Sequence, residues 1–197
     1  MRKINKDNEP REWTEHKSTP NATYERIPAL ANALLKEQGY ICAYCMRRIP
    51  AKDKNSNEDS RIDHIISQKN CLENGDGMEL NYNNMVICCP GAINNDFHCD
   101  KSKGEEDVTI PIFEDHFVET IHYETSSGKI KSTNLVWNNQ INSKSILNLN
   151  NNLLKRNRKE TLTAATMALN KTIPWKKSAI QKVISKWNNL DCDGYYK

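Results

Sequence analysis

Arg61-Ile62-Asp63-His64-Ile65-Ile66 is the stretch from which the fold is read: short, rich in β-branched residues, with an acid beside an imidazole. It predicts a strand. Cysteines flank it, Cys42-Ala43-Tyr44-Cys45 upstream and Cys88, Cys89 and Cys99 downstream, with Asn84 on the approach to the second group. Asp63 and His64 therefore fall inside a loop that a thiolate-bound metal would close. Neighbouring residues of a flat strand face opposite ways, so the pair can serve one ligand only if the chain twists or bulges there.

Thiolates separated by two residues can both reach one tetrahedral ion, and Cys42 with Cys45 supply half of such a site. Downstream, three sulfurs compete for two positions. Cys88 and Cys89 are adjacent on an extended segment and should point to opposite faces, so one ligates while the other packs as a small hydrophobe. The assignment made is Cys42, Cys45, Cys89 and Cys99 around a structural Zn2+, with Cys88 in the core. Four merely buried thiols, or a redox Cys-x-x-Cys, are the alternatives. The grouping opposes the first, and the absence of a thioredoxin-like strand-helix context opposes the second. Cys71 and Cys192 have no place in this scheme.

Hydrolysing a phosphodiester requires an in-line water, a base for its proton, and positive charge near the phosphorus. A neutral histidine suits the base, and a divalent ion on carboxylate oxygens supplies the charge. His64 and Asp63 offer both side by side. Asp100, next to Cys99, is a natural second ligand for Mg2+ or Mn2+, with His98 competing for that place. Asn84 could orient the base or hold its loop. Lys101 and Lys103 could meet phosphate oxygens. His16, His116 and His122 have no companions.

The chain of 197 residues has a net charge of +3 and a pI near 8.4, which permits nucleic-acid binding without arguing for it. Mean hydropathy is −0.79, yet 37% of residues are hydrophobic, enough to build a core rather than a disordered chain. Residues 1–10 lack the apolar core of a secretory signal, and no run approaches the length of a membrane span. The expectation is a cytoplasmic protein with no membrane partner, where clustered cysteines hold metals rather than form disulfides.

The segment through Ala22 is polar and is expected to lie as an arm over the body. Ile27, Leu30, Ala31, Leu34 and Leu35 predict a helix, with Pro28 in its first turn and Gly39 as its stop. Ala51–Asp59 and Glu73–Met78 read as loops, Met85-Val86-Ile87-Cys88 as a second strand, and 100–106 as a turn or two of helix. Ile121–Glu124 and Lys129–Lys131 form a hairpin through Ser126-Ser127-Gly128. Ile146, Leu149, Leu153, Leu162, Ala165 and Leu169 predict one helix over 143–169. A last helix is expected to open at Pro174, capped by Thr172, with Ile180, Val183, Ile184 and Trp187 on one face.

With these residues in hand, the chain resembles the HNH endonucleases. The resemblance rests on Cys42-Ala43-Tyr44-Cys45, Asp63-His64-Ile65-Ile66, Asn84-Met85-Val86-Ile87-Cys88-Cys89 and Cys99-Asp100-Lys101-Ser102-Lys103-Gly104. It covers 40–104, and more loosely Trp13, Tyr24 and Leu147-Asn148-Leu149-Asn150. It implies an α+β protein: a zinc-stabilised ββα-metal core over 40–106, an N-terminal arm and helix over 1–39, and a C-terminal hairpin and helices over 107–197. It implies His64 as general base, Asp63 and Asp100 as ligands of the catalytic ion, and Asn84 as the middle asparagine. Two features depart from the commonest pattern. Nine residues separate Cys89 from Cys99 instead of two, and Asp100 stands where histidine or asparagine is usual.

The extended set is similar to the HNH subunit of Septu-type antiphage systems, some of them retron-associated. That similarity implies an ABC-like ATPase partner, in some systems with a retron RNA/DNA, and a nucleic-acid substrate: DNA, or a structured RNA such as tRNA. The basic run Lys155-Arg156-Asn157-Arg158-Lys159 suits phosphate or an acidic partner, or is simply solvated. The aromatic tail from Trp187 to Tyr196 could dock on a neighbour. The competing function is a catalytically inactive, zinc-structured nucleic-acid-binding or adaptor module.

Overall fold

The structure, a computed structural model, describes residues 1–51, 57–93, 95–170 and 175–189. Strand β1 (Arg61–His64) pairs antiparallel with β2 (Met85–Cys88) in the register Arg61↔Cys88 to His64↔Met85. The register runs one for one, so no bulge interrupts β1. Every residue of β2 is buried, which explains an apolar run without alternation. The other edge of β2 is not open. The buried Gln38 accepts from the Ile87 amide at 2.7 Å and donates to the Ile87 carbonyl at 2.9 Å, standing in for a third strand.

Gln38 reaches that edge because helix α2 (Pro28–Glu37) ends beside it. Pro28 takes the first helical position, where its missing amide costs nothing, and Gly39 turns the chain out at φ 61°. Leu30 and Leu34, both fully buried, contribute about 1.5–3 kcal/mol each by leaving water. The arm ahead of α2 does cross the body, but it contains a helix that the sequence reading left out, α1 (Arg11–Lys17). Its one buried residue is Trp13, whose indole N–H donates to the Leu80 carbonyl.

Two more elements surround the strand pair. Helix α3 (Gln68–Asn74) is capped by Ser67, whose hydroxyl accepts from the Asn70 amide, and lies in a stretch that showed no helical period. After β2, residues 90–98 fold back as a small hairpin, β3 (Ala92–Ile93) against β4 (Asp96–Phe97). A one-turn helix, α4 (Asp100–Lys103), follows directly.

The back half brings helix α5 (His116–Thr120), the hairpin β5 (Ile121–Tyr123) and β6 (Ile130–Ser132), and helices α6 (Leu135–Asn142), α7 (Asn152–Asn170) and α8 (Lys177–Asn188). The single helix expected over 143–169 begins only at Asn152: α6 ends at Asn142, and residues 143–151 form a non-helical bend between the two helices. In the bend Leu147 and Leu149 are buried while asparagine side chains serve neighbouring backbone. Asn150 both accepts from the Ile130 amide and donates to the Ile130 carbonyl, and Asn148 donates to the Phe97 carbonyl. One buried core runs from Met1 to Leu154, so the hairpin and α6 belong to the same body as the cysteines.

Helix α8 adds none of its described side chains to that core. Pro174, Thr172, Cys192 and most of the aromatic tail lie outside the described residues. No described helix is long and apolar enough to cross a membrane.

Candidate metal centre and acidic cleft

The four sulfurs of Cys42, Cys45, Cys89 and Cys99 are buried and lie within 4.8 Å of one another. Cys42 is 3.7 Å from Cys99, Cys45 is 3.6 Å from Cys89, and Cys89 is 3.9 Å from Cys99. Disulfides are ruled out at these separations. A zinc–sulfur bond of about 2.3 Å gives a tetrahedron whose edges are about 3.8 Å, so these spacings match four thiolates around one zinc ion. The cluster can hold zinc. Cys88 is equally buried but stands outside the group, as the alternation of faces along β2 requires.

The nine-residue spacer between Cys89 and Cys99 is absorbed by the β3–β4 hairpin. The His98 amide donates to the Gly91 carbonyl at 2.9 Å, closing the hairpin so that Cys99 returns beside Cys89. Gly91 is required there: it sits at φ +71°, and a Cβ would fall 2.3 Å from the His98 carbonyl oxygen. His98 itself is fully buried with Nε2 3.6 Å from the Cys89 sulfur. Its Nδ1 has no hydrogen-bond partner among the described residues. It belongs to the thiolate cluster, not to the neighbouring acids.

Those acids line a cleft with Arg61, His64, Lys69 and Lys101. Asp63 is 2% exposed. Its Oδ2 accepts from the Tyr44 hydroxyl at 2.5 Å and its Oδ1 from the Lys103 ammonium at 3.0 Å. Asp100 lies within hydrogen-bonding reach of Asp63 and accepts from Arg61, which stands two residues before Asp63 on the same strand face. Burial, with the Asp100 charge adding to it, pushes the Asp63 carboxyl up to about 7, although the Lys103 charge opposes the shift. A carboxylate offers about four lone-pair sites, and Tyr44 and Lys103 take two of those on Asp63. Two converging carboxylates suit a hard divalent ion that takes one or two protein ligands and fills its shell with water and phosphate oxygens.

His64 closes the inner end of the cleft. Its Nε2 lies 2.9 Å from the Glu79 carbonyl oxygen, and Tyr24 packs edge-on against its ring at 4.5 Å between centroids. A carbonyl can only accept, so Nε2 carries the proton and the lone pair of the neutral ring is on Nδ1. Burial holds the His64 pKa below the ordinary histidine value, with the Lys103 charge acting in the same direction.

Asn84 is buried and faces the loop rather than the cleft. It accepts from the Ile66 amide at 2.8 Å and donates to the carbonyls of Ile66 at 2.9 Å and Met78 at 3.1 Å. It ties the end of β1 to the turn that carries Glu79, and so positions His64 without touching it. Lys103 is spent on Asp63 and on the His64 carbonyl at 2.8 Å, and does not face phosphate as the sequence suggested. Lys101 remains exposed at the rim. Arg158, from the basic run on α7, is likewise engaged, donating to the carbonyls of Gly128 and Leu149.

Tyr44, Arg61 and Lys103 were not assigned to the acids from the sequence. Spacing carries a faint signal for two of them: Arg61 shares a strand face with Asp63, and Lys103 follows Asp100 by one helical turn. No family model matches the chain, and no curated protein matches it. What stands is a mixed α+β protein with a four-cysteine cluster able to hold zinc beside a polar cleft in which acids and bases are paired.

Proposed function

We propose that the protein is a metal-dependent HNH endonuclease that hydrolyses phosphodiester bonds of nucleic acid. The observation that supports the reading is that Asp63, Asp100 and a neutral, oriented His64 all line one cleft, although the unbulged register of β1 starts Asp63 and His64 on opposite faces of the strand. The order antiparallel pair, then short helix, formed by β1, β2 and α4, is the order a ββα-metal core requires. Zn2+ on the four thiolates has a structural part, joining the knuckle, the end of β2 and the start of α4.

Asp63 and Asp100 would hold Mg2+ or Mn2+, which when bound supplies positive charge to the phosphate and leaving oxygen. The chain's own residues do the rest. His64 Nδ1 takes the proton of the attacking water. The Glu79 carbonyl stabilises the imidazolium that results, because it faces Nε2–H. Arg61 holds Asp100 in place, and Asn84 fixes the loop that fixes His64. Assembly with an ABC-like ATPase in antiphage defence rests on the sequence resemblance alone.

One observation favours an inactive adaptor module instead: both oxygens of Asp63 are already hydrogen-bonded within the protein. A cleavage assay separates the two. Zinc-loaded protein is incubated with plasmid DNA and, separately, with total RNA, in Mg2+ or Mn2+. The nuclease reading expects cleavage of one or both, abolished by chelator and reduced at least 100-fold in a folded His64→Ala variant. Binding without cleavage, or equal cleavage by His64→Ala, would hand the function to the adaptor reading.

A further inference from the structure

The four-cysteine cluster and the Asp63 carboxylate are linked through the Tyr44 side chain. Tyr44 lies between Cys42 and Cys45, so its backbone is held wherever the thiolates are held. Its ring is 1% exposed, and its hydroxyl donates to Asp63 Oδ2 at 2.5 Å. On the other side of Asp63 the arrangement repeats. Lys103 is four residues beyond Cys99, on the helix that begins beside that cysteine, and its ammonium reaches Asp63 Oδ1 at 3.0 Å. The carboxylate is thus gripped from both sides by arms rooted at thiolates of one cluster. Lys103 also holds the strand itself, donating to the His64 carbonyl at 2.8 Å, so the Tyr44 hydroxyl is the contact to Asp63 that comes from the cysteine knuckle alone.

We infer that Tyr44 is a positioning residue that couples the four-thiolate site to the cleft, so that an ion on the four sulfurs sets the orientation of Asp63 and hence the affinity of the cleft for a divalent cation. The inference rests on the cleft being a cation site. A buried phenol must find a partner for its O–H, and here that partner is the proposed metal ligand. With the hydroxyl in place, the carboxylate is held from both sides, within hydrogen-bonding reach of Asp100. Without it, one wall of the grip is lost and the carboxylate can turn. Coupling of this kind is reciprocal: an ion in the cleft must strengthen ion binding at the thiolates by the same factor by which the thiolate ion strengthens the cleft.

The test uses the full zinc-loaded chain and Mn2+ as probe, with free Mn2+ followed by electron paramagnetic resonance. Tyr44→Phe should weaken Mn2+ binding roughly tenfold, the loss expected for one hydrogen bond to a charged group. Zinc content should not change. Asp63→Asn is the control and should weaken binding more. If Asp63→Asn weakens Mn2+ binding and Tyr44→Phe does not, the coupling is wrong while the cleft stands. If neither variant matters, the cleft is no cation site and both ideas fall. A second measurement needs no variant: with Co2+ on the thiolates of the wild-type protein, adding Mg2+ should shift the cobalt d–d bands. Bands that stay fixed at saturating Mg2+ would overturn the coupling.

Discussion

His64 gains its chemical character from where its ring is buried, not from its neighbour in sequence. The ring is enclosed by Tyr24 and the Glu79 carbonyl, and burial disfavours the imidazolium, so the folded protein keeps the base form to a lower pH than a free histidine does. The sign follows. A depressed histidine pKa contributes stability above about 6.5, the ordinary value, and that contribution is lost as pH falls through the folded pKa. Asp63 works the other way. Its carboxyl, raised to about 7, favours the fold fully below the ordinary carboxylate range and loses that contribution as pH rises through about 7. Under the proposed function a cation in the cleft would hold Asp63 ionised and leave the acid limb of the rate, at saturating Mg2+, to His64 alone. The plot of kcat/KM against pH should climb below about 6.5 and be flat from neutrality upward. A limb centred above neutrality under those conditions would remove His64 from the role of base.

At the scale of elements, what was legible in the sequence is what has its own period or its own chemistry. Strands β1 and β2, helix α2 and the β5–β6 hairpin stand where alternation, apolar runs and turn residues put them. Helix α1 was missed because a seven-residue helix with Trp13 as its one buried side chain has no period to detect. The bend before α7 was missed because Ile146, Leu149 and Leu153 fit a helical spacing equally well. The deciding groups were Asn148 and Asn150, whose amides imitate backbone and pair with distant strands. The gathering of Cys89 and Cys99 was legible as chemistry, but the hairpin that achieves it was not, since its strands are two residues long. That hairpin makes a sharp prediction through Gly91. A Cβ there meets the His98 carbonyl at 2.3 Å, whereas one at Gly75, also at positive φ, meets nothing within 4 Å. Gly75→Ala should cost about 1 kcal/mol, the conformational penalty alone. Gly91→Ala should cost at least about 2 kcal/mol more, because the clash forces the hairpin apart, and it should release zinc to a chelator faster. Thermal unfolding and a chromogenic zinc assay on the two variants read both effects; equal costs would detach the hairpin from the metal centre.

Across the whole molecule, the cysteine cluster is where segments distant in sequence meet within one core. The knuckle docks on β2 through the bond from the Ala43 amide to the Ile87 carbonyl, and the Cys99 amide donates to the Leu147 carbonyl, tying the back half to the same point. An ion at that junction therefore stabilises the body as a whole rather than one loop. Structural zinc sites in small domains contribute roughly 10–16 kcal/mol, against a total stability of about 5–15 kcal/mol for a typical domain. The comparison decides the outcome of removal: stripping the metal should unfold the body, not soften it. Chelation should release one zinc per chain and abolish the cooperative thermal transition followed by near-ultraviolet circular dichroism. The neighbouring cysteines distinguish this from a general loss of packing. Cys88 and Cys89 are both fully buried, yet only Cys89 is one of the four gathered sulfurs, while Cys88 reaches the Cys42 sulfur from outside the group. Cys88→Ala should retain one zinc per chain with a modest drop in melting temperature, while Cys89→Ser should lose the metal and the transition together. Retention of zinc by Cys89→Ser, with loss in Cys88→Ala, would reverse the assignment of the two faces of β2; an unchanged transition after complete zinc removal would reduce the four sulfurs to ordinary buried thiols.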